Sequence, residues 1–303
     1  MTIPFIKYSK VWFTITIIMV LLSVGALFKW GLKLGIDFTG GSLLELSFSQ
    51  TRPDLENFKS GLEQIGLKEP VIQKSGDSKF IVRTNFLNES QHQLVLSQVR
   101  EKYQTKDNVV REEEFETIGS AVSDQLRQRA IWAIIMVNAA IILYVAYAFR
   151  KVSRPVQSWK YGLMAILAQM HDALIVLGAF AVLGHFQGVE VGIDFVVAIL
   201  TVTGYSVTDT IVVYDRIREN LFHRRGEEFG EVVNNGLNQT LMRSINTTMT
   251  VLLPLLALYF VGGSTIHTFA LALLIGMFSG AYSSIFIASP LIVLSEKWQR
   301  KKA

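Results

Sequence analysis

An aspartate lies inside a stretch of this chain long and apolar enough to cross a bilayer as a helix. The stretch covers residues 195–214 and holds Asp209 within Gly204-Tyr205-Ser206-Val207-Thr208-Asp209-Thr210. It ends at Asp215-Arg216-Ile217-Arg218-Glu219-Asn220, a run that belongs in water or among headgroups. A carboxylate inside a span costs roughly 2.5–3.5 kcal/mol on insertion scales, and a mere anchor would carry leucine there. Asp209 therefore reads as a proton or ion site facing other helices. The competing reading is a structural aspartate hydrogen-bonded to a neighbouring helix.

Such a carboxylate needs a partner. Arg243 stands just ahead of Ser244-Ile245-Asn246-Thr247-Thr248, and Leu237, Leu241 and Ile245 recur at a spacing of four. That spacing starts the fifth helix near Leu237. Antiparallel packing of the fourth and fifth spans then brings Arg243 toward the level of Asp209. An opposite charge favours an ionised carboxylate and burial disfavours it, so the pair suits proton loading and release. One charge moved through 100 mV is worth about 2.3 kcal/mol, so a few protons can drive a conformational cycle. Ser206, Thr208, Thr247 and Thr248 are placed to hydrogen-bond along the same route, although each hydroxyl taken singly reads first as a helix-packing residue. The competing reading of Arg243 is a snorkelling interfacial arginine. His171-Asp172, near the middle of the third span, is a second ionisable pair. It reads as structural or as support for the first site, ahead of membership in a relay. Asp194 belongs to the solvated outer end of the fourth span, and Asp215 to its inner boundary, beside arginines.

The elements that must position these residues are membrane helices. Half of the 303 residues are hydrophobic, 18% are charged and the mean hydropathy is +0.35, which indicates an integral membrane protein rather than a soluble one. There is no cysteine, which excludes disulfides, thiolate metal sites and a thiol nucleophile. No nucleophile–base pair, phosphate-binding loop or metal-ligand cluster stands out, so a soluble-type enzyme is not expected. Six spans are predicted, at residues 11–28, 131–149, 161–183, 195–214, 245–261 and 268–294. A cleaved signal peptide competes for the first, since Val24 and Ala26 are small. Its mainly apolar run of 18 residues, 11–28, exceeds the usual signal core of about 7–15. Residues 216–243 read as a basic, partly helical loop broken at Gly226 and Gly236.

Residues 31–130 form one hydrophilic block between the first two spans, with 13 Lys and Arg and 15 Asp and Glu. Residues 42–49 alternate as a strand, with Leu44, Leu46 and Phe48 on one face. Pro53 opens a helix carrying Leu55, Phe58, Leu62 and Ile65, closed by Gly66. Residues 71–74 and 79–84 make a hairpin around Gly76-Asp77. Asn88 caps a second helix carrying Leu94, Val95, Val99 and Tyr103. Residues 108–118 are a last strand. The order βαββαβ is the ferredoxin-like one. Glu112-Glu113-Glu114 reads as a solvated strand face rather than a metal site. The expected domains are 1–30, an N-terminus with the first helix; 31–130, the ferredoxin-like domain; 131–294, five further helices; and 295–303, a basic tail.

The termini and the two loops on the same side hold fifteen Lys and Arg, while the two short opposite loops hold none. The positive-inside rule puts both termini in the cytoplasm and the 31–130 domain outside it. The net charge of +4 is thereby explained by loop placement, not by a nucleic-acid partner.

Two runs resemble a known family. Gly35-Ile36-Asp37-Phe38-Thr39-Gly40-Gly41 is similar to the G-[IV]-D-F-x-G-G signature of SecD/SecF proteins. Residues 204–220, with Asp215 and Arg216, resemble the fourth-span motif of its smaller subunits. Thr208 stands where the family usually has asparagine. The resemblance implies a six-helix half of a bundle of the RND (resistance-nodulation-division) type with one extracytoplasmic domain, in a bacterial or archaeal cytoplasmic membrane. It implies an obligate SecD partner, work beside the SecYEG channel with YajC and YidC, an unfolded preprotein as substrate, and use of a proton or sodium gradient. No cofactor is implied beyond the transported ion. The family's essential aspartate falls on Asp209 and its fifth-span arginine on Arg243. A small-molecule or lipid exporter of the same superfamily is the alternative, although a block of about 100 residues is small for an enclosed ligand pocket. A structural anchor without ion coupling is a third reading.

Overall fold

The computed structural model describes residues 2–148, 156–224 and 226–300. The basic turn expected at 150–155 and the final lysines of the tail lie outside these residues. Two compact units form, Leu34–Ile131, and Met1–Lys33 together with Trp132–Ala303. The first transmembrane-length helix, α1 (Ser9–Trp30), belongs to the second unit.

The Leu34–Ile131 unit opens with the short helix α2 (Ile36–Thr39), then runs β1 (Gly41–Phe48), α3 (Leu55–Gln64), β2 (Val71–Ser75), β3 (Lys79–Thr84), α4 (Glu89–Tyr103) and β4 (Val110–Ile118). The sheet order is β2-β3-β1-β4, with every neighbour antiparallel. This is the ferredoxin-like arrangement that the order of elements predicts. Alternation in β1 puts Leu44, Leu46 and Phe48 into the core, where Phe58 stacks on Phe80 at 4.7 Å between ring centroids. A bulge in β4 pairs Glu45 with Glu114 and Leu46 with Glu112, so that Val110 and Phe115, five residues apart, both reach the core. The α3 N-cap is Asp54, whose carboxylate accepts from the Glu56 amide at 3.1 Å; Pro53 lies just outside. Gly66, at φ +100°, turns the chain after it, and Leu67 N donates back to Leu62 O at 3.1 Å. Asn88 and Gln91 cap α4 reciprocally, at 2.9 and 3.0 Å. One expected core residue faces solvent instead. Leu94 is exposed, because the buried face of α4 is His92, Val95, Leu96 and Val99 at helical spacing.

The second unit adds α5 (Ser120–Ala148), which begins within the first unit, then α6 (Ser158–Gln187), α7 (Ile193–His223), α8 (Phe229–Val261), α9 (Ser264–Ser283), a π-helical turn (Ser284–Ala288) and α10 (Ser289–Arg300). Among the described residues, six helices are long and apolar enough to cross a membrane, the sixth running through α9, the π turn and α10. The expected loop at 216–243 is mostly helix. It shrinks to the short connection between His223 and Phe229, which contains Gly226 at φ +98°. Gly236 does not break the chain. It lies inside α8, where a Cβ would meet Ile217 Cγ1 at 2.9 Å, so its smallness lets α8 approach α7. Other small residues act alike. A Cβ on Gly276 would lie 2.2 Å from Val202, and one on Gly178 would lie 2.4 Å from Ser23. Asn138, the polar residue of α5, accepts from Gln169 Nε2 of α6 at 2.5 Å.

The π turn has a cause in the sequence. Pro290 has no N–H, and in a regular helix its ring would press on the carbonyl of Phe286. The wider turn relieves that crowding. Ser289 Oγ donates to Ser284 O at 3.0 Å, and the buried Tyr214 hydroxyl donates to Ala288 O at 3.1 Å.

Candidate functional site

Asp209 sits midway along α7 and is 7% exposed. Ser244 Oγ of α8 donates to its Oδ1 at 2.7 Å, and Ser284 Oγ, the first residue of the π turn, donates to its Oδ2. Two hydroxyl donors from separate elements thus converge on the two oxygens of one buried carboxylate. Among the described residues no ion pair reaches Asp209.

Asp172 of α6 is more enclosed, at 1% exposed. Its Oδ2 accepts from Ser206 of α7 at 2.6 Å and from Ser283 of α9 at 2.7 Å. Its Oδ1 accepts from Ser279 at 2.7 Å and lies 3.0 Å from His171 Nδ1. Helical spacing explains the layout. Ser279 and Ser283 are four apart and share a face, while Ser284 is turned by about 100° from Ser283 and meets the other acid. Consecutive serines of the last span thus serve two carboxylates.

The level expected for Arg243 holds, and the direction does not. Its neighbour Ser244 points at Asp209, while Arg243 is exposed and makes no ion pair among the described residues. Thr208 and Thr247 hydrogen-bond to carbonyls of their own helices, at Gly204 O (2.9 Å) and Arg243 O (2.9 Å). Thr248 is buried and accepts from the Tyr205 hydroxyl at 3.5 Å. Ser206 serves Asp172, not Asp209. Four site residues escaped sequence reasoning as participants: Ser244, Ser279, Ser283 and Ser284. The readable signal was a pair of serines four apart, next to Gly276 and Gly280, in an apolar span. A cavity of about 270 Å³ between α8 and the last span reaches Ser244 and is otherwise lined mostly by apolar side chains such as Leu241, Phe278 and Phe286.

The remaining signature residues do structural work. Asp215 pairs with Arg218 at 3.5 Å; Arg216 donates to Gln239 at 2.6 Å and to Glu219 at 2.6 Å, which ties the end of α7 to α8. Gly35 O accepts from the Thr39 hydroxyl at 3.0 Å and from the amides of Phe38 and Thr39, so Gly35, Asp37 and Phe38 form one tight turn with α2. Gly40 (φ +73°) and Gly41 (φ +121°) then swing the chain into β1, and a Cβ on Gly41 would lie 2.6 Å from Thr84 O. The acidic run of β4 is only partly a solvated face. Glu112 hydrogen-bonds the buried His92 at 2.8 Å, and Phe115 stacks on that imidazole at 3.7 Å. No group of three metal-ligating residues occurs among the described residues.

A six-helix membrane unit that buries two carboxylates among serines, joined to one small α+β domain, has the design of half a repeat-built transport protein. Residues 98–298 match the family model described as protein export membrane protein SecD/SecF, C-terminal, and residues 25–51 match the SecD/SecF GG motif. The chain is 41% identical to the protein translocase subunit SecF of Thermobaculum terrenum, over 99% of this chain and 95% of that one. It is 36% identical to the subunit SecDF of Thermus thermophilus over 95% of this chain but only 37% of that longer protein. The crystal structure of the Thermus SecDF, described as a translocon-associated membrane protein, superposes with a TM-score of 0.83 at 34% identity, over 99% of this chain and 39% of that one. A second SecDF structure, in a super-membrane-facing form, gives 0.69. The chain belongs to the SecD/SecF family of protein translocase subunits. Its role is in transport across a membrane, not in catalysis of a covalent reaction.

Proposed function

We propose that this chain is the ion-handling half of a two-part export motor. Paired with a SecD subunit, it uses the proton or sodium gradient of the cytoplasmic membrane to assist late export of unfolded preproteins. The pair works beside the SecYEG channel, with YajC and YidC as neighbours. Support for the partner comes from the Thermus protein, whose single chain is more than twice as long and contains a portion similar to this one. The basic loops favour cytoplasmic termini and an extracytoplasmic α+β domain.

The observation that carries this reading is Asp209, a carboxylate deep in an apolar helix, held by two serines from different elements. Its protonation alters what α8 and the π turn are bound to. Arg243 follows from the same geometry. A rotation of α8 by about 100° exchanges Ser244 for the guanidinium next to it. Arg243 is then the charge that meets the ionised acid. The α+β interior is filled by packed aromatic and aliphatic side chains, which favours this reading over a small-molecule exporter.

The test uses membrane vesicles containing the complete translocase. Asp209→Asn keeps the shape and removes the titrating oxygen. Preprotein translocation driven by the ion gradient is expected to fall to the gradient-independent level. Wild-type, gradient-dependent translocation by that variant would remove Asp209 from the mechanism.

A further inference from the structure

A second acid–base pair is buried in the membrane unit, and the reading above does not use it. His171 and Asp172 are 5% and 1% exposed. A carboxylate has about four acceptor positions. Those of Asp172 meet Ser206, Ser279, Ser283 and His171 Nδ1, all within 2.6–3.0 Å. All four acceptor positions of Asp172 are thus engaged. The imidazole differs. Its Nδ1–H is held by Asp172 Oδ1, and its Nε2 is buried with no hydrogen-bond partner among the described residues. In that tautomer Nε2 is a base with an open lone pair, and the carboxylate behind it stabilises the imidazolium that protonation would form.

The surroundings leave few other candidates. On α9, the Tyr282 ring lies 6.1 Å from the imidazole, and its hydroxyl is engaged with Trp12 O and Thr16. On α7 the facing group is Ser206. The ionisable residues of α1, Lys10 and Lys29, lie at its ends, and the π turn has none. Those of α10, Glu296, Lys297 and Arg300, lie at its C-terminal end. Asp209 is reached only through the adjacent serines, Ser283 on Asp172 and Ser284 on Asp209.

We propose that His171 is a second proton-binding site of the membrane unit, loaded at Nε2, with Asp172 as its positioning counter-ion. This rests on the gradient-coupled reading. A proton entering from water converts the pair from net −1 to neutral and leaves again from the same nitrogen. Because consecutive serines serve the two acids, loading His171 and loading Asp209 influence each other reciprocally.

The test begins with ¹⁵N-histidine NMR of the full chain, co-purified with its six-span partner in nanodiscs. His171 is assigned by difference against His171→Asn. Its Nε2 signal is expected to switch between the unprotonated and protonated forms over the pH range that the complex tolerates. A signal that stays in one state across that range overturns the proposal. The asparagine retains an N–H toward Asp172 and deletes Nε2, so the variant is expected to assemble and to lose the pH dependence of gradient-driven translocation. An unchanged pH profile overturns the proposal. If that variant does not assemble, His171 is assigned by elimination, from spectra in which each of the other four histidines is replaced in turn, and the wild-type spectrum then decides. Asp209→Asn in the same assay separates the two ideas: full activity there refutes gradient coupling through Asp209 even where His171 titrates.

Discussion

Polarity runs in opposite directions in the two units. In the α+β unit Phe58 and Phe80 are fully buried and most charges lie at the surface; the buried Glu45 is an exception, paired with the part-exposed Lys79 at 2.8 Å. In the helical unit Phe28 and Val261 are each 87% exposed, while Asp172, Asp209, Ser206, Ser279 and Ser283 are inside. The solvent accounts for the contrast. In water, removing apolar surface is the main driving force. Lipid tails are as apolar as leucine, so membrane helices are held by close packing of small residues and by hydrogen bonds between them. A buried polar group is therefore an isolated exception in one unit and the helix–helix interface itself in the other.

The contrast can be tested by substitutions of graded effect. The largest belongs to the α+β core. Phe58→Ala is expected to cost about 3–5 kcal/mol, read as a lower melting transition for that unit while the helical unit keeps its own. A cost near zero would mean the aromatic stack is not a packed core. Next is Ser283→Ala, which removes one donor from a buried carboxylate and should cost about 1.5–3 kcal/mol in the helical unit. Stability there equal to wild type would show that the serines do not hold the helices together. Gly276→Leu forces α9 away from Val202 and should cost about 1–3 kcal/mol, measured as loss of detergent-resistant folding.

The smallest effect is electrostatic. The hydrogen bond and charge of Glu45 hold the Lys79 ammonium above the ordinary lysine value of 10.5. A raised lysine contributes its full stabilisation below the unfolded value and loses it as pH rises through the folded one. The Lys79 side chain is 37% exposed and screened, so the contribution is under about 1 kcal/mol. The difference in melting temperature between wild type and Glu45→Gln should stay flat up to about pH 10 and narrow only above it. A difference that narrows near neutral pH would place the stabilising charge elsewhere.

Much of the architecture is written locally along the chain. Apolar runs show six spans, alternation shows β1, and Asn88 with Gln91 caps α4, because each signal needs only neighbours a few residues apart. Asp209 was legible for the same reason, as a carboxylate where lipid demands carbon. Its surroundings were not. The sequence presents Arg243 and Ser244 side by side, and only the rotation of α8 decides which one meets the acid. It presents Ser283 and Ser284 side by side as well. Their division between Asp172 and Asp209 depends on how closely Gly236, Gly276 and Gly280 let the helices approach and on the π turn before Pro290. The amino-acid order by itself determined that acids would lie within the membrane helices. Tertiary packing alone decided which hydroxyls they hold, because a helix turns by about 100° per residue and its rotation is set by partners far away in the chain.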